Sequence, residues 1–131
     1  MSAQDNKQAV QSLYDSFNAG DIATVLAALS DNVEWVIPSI PMIPFTGPKH
    51  GRDAVAAFFT TMSEHQEPQS FEVQGIVAEG DQVVANGHYR WHVKTTDRTW
   101  EGEFSHHFTV REGQIVRFQE YSDSAAAMAA Y

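Results

Sequence analysis

The chain has 131 residues and an apolar fraction of 43%, including eight Phe, four Tyr and three Trp, which points to one well-packed domain over 1–131 rather than disorder. Its net charge is −9, from 17 acids against 8 bases, a surface that repels phosphate backbones and anionic lipid and so excludes nucleic acid and membranes as expected partners. Cysteine is absent, which excludes disulfides and thiolate chemistry and fits a reducing compartment.

After Met1 the residues are polar through Gln8. With no apolar leader, the expected location is the cytoplasm. Three helical stripes follow. Val10, Leu13, Tyr14 and Phe17 fall at i, i+3, i+4 and i+7, as do Ile22, Val25, Leu26 and Leu29, and then Val55, Phe58, Phe59 and Met62. At 3.6 residues per turn each set lies on one face and needs a partner surface. Gly20 suits a left-handed helix stop and Asp21 an N-cap, so Asn18-Ala19-Gly20-Asp21 reads as a tight corner.

Residues 33–37 read as a strand ended by Pro38. The stretch 38–50 holds prolines 38, 41, 44 and 48 with Gly47, which rules out helix and suggests a rigid pocket rim. From Ser70 the period becomes two. Strands are expected at 71–79, 82–95, 98–111 and 114–122, with turns at Gly80-Asp81, Thr96-Asp97 and Glu112-Gly113, an antiparallel meander. The Ala-rich tail 123–131 reads as a short helix capped by Ser122 or Asp123. Three N-terminal helices packed on a curved, mainly antiparallel sheet make an α+β cone.

Several local motifs carry a resemblance. They are Asn18-Ala19-Gly20-Asp21, Asp31-Asn32-Val33-Glu34-Trp35, Gly51-Arg52-Asp53-Ala54-Val55, Phe104 to Val110, Glu112-Gly113-Gln114-Ile115 and Glu120-Tyr121-Ser122-Asp123. Together the chain resembles the SnoaL-like (NTF2-like) family, which includes ketosteroid isomerases and polyketide cyclases. The resemblance implies a pocketed cone and a dimer formed through the sheets, but no single reaction. The isomerase base is an aspartate before a proline at the end of the first strand. Here that pair is Ile37-Pro38, and isoleucine takes no proton, so ketosteroid isomerisation is not expected. The positions matching the isomerase's two oxyanion donors are Leu13, with Tyr14 one step off, and His106. In the cyclases an acid–base aspartate lies near the end of the last strand, where Asp123 falls.

Alternation along 100–110 places Trp100, Phe104, His106, Phe108 and Val110 on the more apolar face, so His106 should point inward, as a core histidine or a functional one. Its carboxylate partner depends on the Glu112-Gly113 turn. A two-residue turn pairs Val110 with Ile115 and puts His106 opposite Gln119, on the face carrying Arg117, Tyr121 and Asp123. A three-residue turn with a glycine bulge brings Glu120 to the His106 face instead. The bland alternatives are a helix cap for Asp123 and a solvated strand residue for Glu120. Tyr14, Phe17, Trp35, Ile37, Phe58 and Tyr121 complete the candidate set, suited to a small apolar or aromatic ligand.

Neither a metal nor a cofactor is expected. His88 and His92 are four residues apart, but on a strand that spans about 13 Å, too wide for one ion. Tyr89, Trp91 and Val93 alternate with His88, Arg90 and His92, so one side of that strand can line the interior while the other meets a second copy in a homodimer. Three functions fit: an acid–base isomerase, cyclase or related enzyme on an apolar carbonyl compound with His106 and Glu120 or Asp123; a non-catalytic binding domain; or a dimerisation module.

Overall fold

The computed structural model describes residues 2–131. Helix α1 (Ala3–Asn18) starts at a capping box in which Ser2 and Asp5 satisfy each other's backbone N–H groups. Gly20 (φ 75°) turns the chain, and the Asp21 side chain accepts from Thr24 N to open α2 (Ile22–Ala27). Leu29, the last residue of the second stripe, belongs instead to strand β1 (Leu29–Ile37), which begins four residues before the expected 33. A short strand, β2 (Gly47–His50), lies inside the proline-rich stretch and pairs antiparallel with β1. Sequence periodicity misses it, because two of its four residues are Gly and Pro. Its edge position spares Pro48 the need for a ladder donor.

Helix α3 (Arg52–His65) follows and runs directly into β3 (Gln66–Glu79), so the meander starts at 66 rather than 71. Then come β4 (Gln82–Val93), β5 (Arg98–Arg111), β6 (Gln114–Ser122) and α4 (Ser124–Ala130). Strand β4 ends two residues before the expected 95. The six strands form one sheet in the order β2-β1-β6-β5-β4-β3. Every pairing is antiparallel except β1 with β6, which is parallel. The sheet interrupts its register in β3, in β6 and in β1, and such bulges bend strands and increase their twist. The result is the expected NTF2-like α+β fold, with the helices on the concave face.

The core follows the stripes. Val10, Val25 and Val55 of the three N-terminal helices meet Val83, Phe108 and Val110 of the sheet, all at or below 1% exposure. Burying each such side chain contributes roughly 1.5–3 kcal/mol against leaving it in water. Towards the other end of the sheet the core becomes aromatic, with Tyr89, Trp91 and Phe104 buried. There the packing leaves space, and the candidate site forms.

Candidate functional site

The β5–β6 hairpin decides which carboxylate faces His106, and it combines features of both expected turns. Glu112 (φ 51°) and Gly113 (φ 78°) form a two-residue turn with both φ values positive, as primed hairpin turns require. Arg111 pairs with Gln114 and Val110 with Ile115. The next pair is Thr109 with Arg117, so Val116 is a bulge that shifts the rest by one residue. Phe108 therefore faces Phe118, and His106 faces Glu120. Directly opposed residues share a face of the sheet.

Four polar groups converge inside. His106 Nε2 lies 3.0 Å from Glu120 Oε1, and His106 Nδ1 lies 2.5 Å from the Tyr14 hydroxyl. Tyr89 OH donates to the same Glu120 oxygen at 3.2 Å. A carboxylate only accepts, so the imidazole proton is on Nε2, and the bare Nδ1 accepts from the Tyr14 O–H. Burial, and then the charge of Glu120, push the Tyr14 phenol well above its usual range and keep it a donor. The same two causes raise Tyr89. Phe104 stacks on the imidazole at 4.2 Å between centroids, and Phe118 meets it edge-on at 4.8 Å.

Both hydrogen bonds to Glu120 use Oε1. Its side chain keeps 14% exposure, against 4% for His106. Among the described residues Oε2 has no hydrogen-bond partner, and it is not one of the sealed-off polar atoms. Glu120 itself borders the interior space. That space has two chambers. The inner one, about 70 Å³, is walled by Tyr14, Phe17, Trp35, Phe71, His106 and Phe118 among others. The outer one, about 50 Å³, lies under Ile40, Ile43 and Phe45 of the proline-rich stretch and Ala127 of α4. Ile37, Phe58, Met62, Trp91 and Glu120 border both. One water needs about 10–15 Å³ on such a scale, so each chamber holds only a few.

Of the sequence candidates, His106, Glu120, Tyr14, Phe17, Trp35, Ile37 and Phe58 all border the inner chamber. Asp123 and Tyr121 are elsewhere. Asp123 is exposed and accepts from Ala126 N at 3.0 Å as the cap of α4. Tyr121, 50% exposed, lies on the opposite sheet face beside His107, with rings 4.9 Å apart. The Val116 bulge explains both placements, because it turns Glu120 inward and hence Tyr121 outward. Tyr89, Trp91, Phe71 and Phe118 join the site without having been named for it. Only Tyr89 and Trp91 gave a signal, the apolar alternation of β4. His88 and His92 face outward and bind carboxylates, His88 that of Glu101 and His92 those of Asp97 and Glu67.

The proline-rich stretch closes the outer chamber. Thr46 Oγ1 accepts from Ile40 N and donates within the turn, to the Ile43 carbonyl at 2.8 Å, tying the segment to itself. Its apolar side chains point inward, while Met42 (φ 75°) is 69% exposed at the tip.

A helix-lined concave sheet with a polar cluster at the floor of an apolar cavity defines a pocketed α+β cone. Comparison with known proteins gives the family: the SnoaL-like domain matches residues 10–118, and the chain belongs to that family. Its structure is similar to that of an NTF2-like protein from Burkholderia xenovorans LB400, with 33% identity over 99% of this chain and 98% of that one and a TM-score of 0.87. An NTF2-like protein of unknown function from Burkholderia pseudomallei K96243 is 29% identical over 99% and 98% of the two chains, with a TM-score of 0.89. A Xanthomonas campestris pv. campestris protein, provisionally described as a polyketide cyclase, is 26% identical over 98% and 97%, with a TM-score of 0.79. No curated protein matches the chain. No helix among the described residues is long and apolar enough to cross a membrane.

Proposed function

We propose that the protein is an acid–base enzyme acting on a small, apolar, carbonyl-bearing molecule, with Glu120 as the base. The observation that carries this reading is the Glu120 carboxylate on the wall of an apolar cavity, with one oxygen held by His106 and Tyr89 and the other without a hydrogen-bond partner among the described residues. A general base must reach a substrate proton at hydrogen-bond distance, and Glu120 lies on the wall of the space where an apolar substrate would sit. In this reading Oε2 takes a proton from the carbon next to the carbonyl, leaving an enolate, and returns it to the same or a neighbouring carbon. His106 orients Glu120, and Tyr14 orients His106. The neighbour described as a polyketide cyclase belongs to a class for which enolate chemistry is apt.

The test is hydrogen–deuterium exchange at the α-carbon of apolar ketones in D2O, followed by proton NMR. The wild-type protein is expected to speed exchange, and Glu120→Gln to lose about 100-fold or more of that acceleration. Equal exchange by both proteins would sink the reading. A holding role is the second reading, favoured by the way Tyr14, His106, Tyr89 and Glu120 Oε1 satisfy one another. It expects saturable ligand binding with no exchange.

We also propose one functional domain over 1–131, a cytoplasmic location, and a homodimer through the outer sheet face, where Tyr121 is exposed. Sedimentation as a strict monomer at micromolar concentration would remove the dimer.

A further inference from the structure

We infer that the molecule taken by this site is an uncharged ketone whose reacting carbon lies between two short apolar arms, one in each chamber. The inference rests on the acid–base reading for the place of the reacting carbon.

The first observation is position. Glu120 is not at the blind end of a single cavity. It borders both chambers, with Ile37, Phe58, Met62 and Trp91. A proton within reach of Oε2 is therefore carried by a carbon near the junction, and the substrate continues to either side of it. A molecule reacting at its terminus would fill one chamber and leave the other to water or void. An unfilled chamber forfeits dispersion contacts; water is poorly held in the apolar inner chamber, and in the outer one it would meet only Thr46, Gln66, Tyr89, Glu120 and Ser122 on an otherwise apolar wall. Chamber volumes of about 70 and 50 Å³ limit the arms to short alkyl chains or a small ring.

The second observation is charge. Among the described residues neither chamber is bordered by Lys or Arg, and Glu120 is the one carboxylate on either wall. Both ring nitrogens of His106 are already engaged, Nε2 by Glu120 and Nδ1 by Tyr14, so neither is free for a ligand's charge. A carboxylate or phosphate on the ligand would enter a low-dielectric space with no cation to meet it and a like charge beside it, costing several kcal/mol. In the proton step the C–H bond breaks, its electron pair forms the enolate, and the proton passes to Glu120 Oε2 and back.

Three probes test shape and charge: 4-heptanone, with a propyl arm on each side of its carbonyl; acetone, with no arm; and 5-oxohexanoate, a methyl ketone ending in a carboxylate. The readout is the NMR signals of the indole N–H groups, since Trp35 borders only the inner chamber and Trp100 only the outer. The expected result is that 4-heptanone shifts both signals in one saturable transition, binding at least about tenfold more tightly than acetone. The carboxylate is expected to bind at least about tenfold more weakly than 4-heptanone. Ala127→Leu and, as a second variant, Ile43→Phe reduce outer-chamber space, and each should lower the 4-heptanone affinity relative to acetone. The inference is overturned if 4-heptanone shifts only one indole, shifts the two with separate affinities or fails to bind, or if the carboxylate binds as well. Deuterium exchange on the same samples separates the two readings. Joint shifts without exchange remove the enzyme and keep the ligand's shape, while exchange with a single-chamber signal does the reverse.

Discussion

Tyr14 connects the helices to the sheet, and among the described residues its hydroxyl is the one partner of His106 Nδ1. Tyr14→Phe removes that donor and leaves a buried acceptor unpaired, a loss of about 1–3 kcal/mol expected in urea denaturation. Alkali should act through the same residue. Burial raises Tyr14, Tyr89 and Tyr131 above the ordinary phenol range, so the folded chain holds protons that the unfolded chain releases near pH 10. Their contribution is complete below the unfolded value and is lost as pH climbs above it towards the raised folded values. Denaturation midpoints should therefore fall between pH 9 and pH 11 by about the range of a measurable shift, with phenolate absorbance from these three appearing only on unfolding. On the outside, the Asp97 carboxylate raises His92 above its usual value, against an opposing loss from desolvation, with Glu67 adding a lesser push upward. Asp97→Asn should bring its NMR titration midpoint down, and an unchanged midpoint would show that the contact is not kept in solution.

At the level of elements, the helices were legible because their stripes repeat with one period, and β5 and β6 because their turn residues, Thr96-Asp97 and Glu112-Gly113, are strong punctuation. Glu120 and Asp123 could not be separated, since the answer depends on one unpaired residue, Val116, which a period-two pattern cannot reveal. The strand Gly47–His50 was hidden for a related reason: it is held by pairing with Glu34–Ile37 and by the 2.6 Å contact of His50 with Glu34, both distant in sequence. Gly87 illustrates a constraint that composition cannot signal. A Cβ there would lie 2.1 Å from the Glu72 carbonyl oxygen and 2.4 Å from Phe104 Cζ. The ring could turn away, but the backbone oxygen could not. Gly87→Ala is expected to cost about 1–3 kcal/mol and to disturb the Phe104 ring stacked on His106, visible as a shift of the imidazole signals.

Taken whole, the molecule surrounds its cavity with elements from both ends of the chain, and this determines when the site can exist. The contact of His106 with Glu120 spans 14 residues and belongs to a hairpin, whereas Tyr14 and His106 are 92 residues apart. Strand β1 likewise waits for β6 as its parallel neighbour. Closing loops of that length costs entropy before any contact repays it, which slows folding. During synthesis, α1 and β1 leave the ribosome long before their partners and carry Tyr14, Phe17 and Trp35 uncovered. The carboxylate–imidazole pair should then assemble first, and the helix carrying the tyrosine should close over it last. In refolding experiments, protection of β5 and β6 amides is expected to precede the burial of Tyr14.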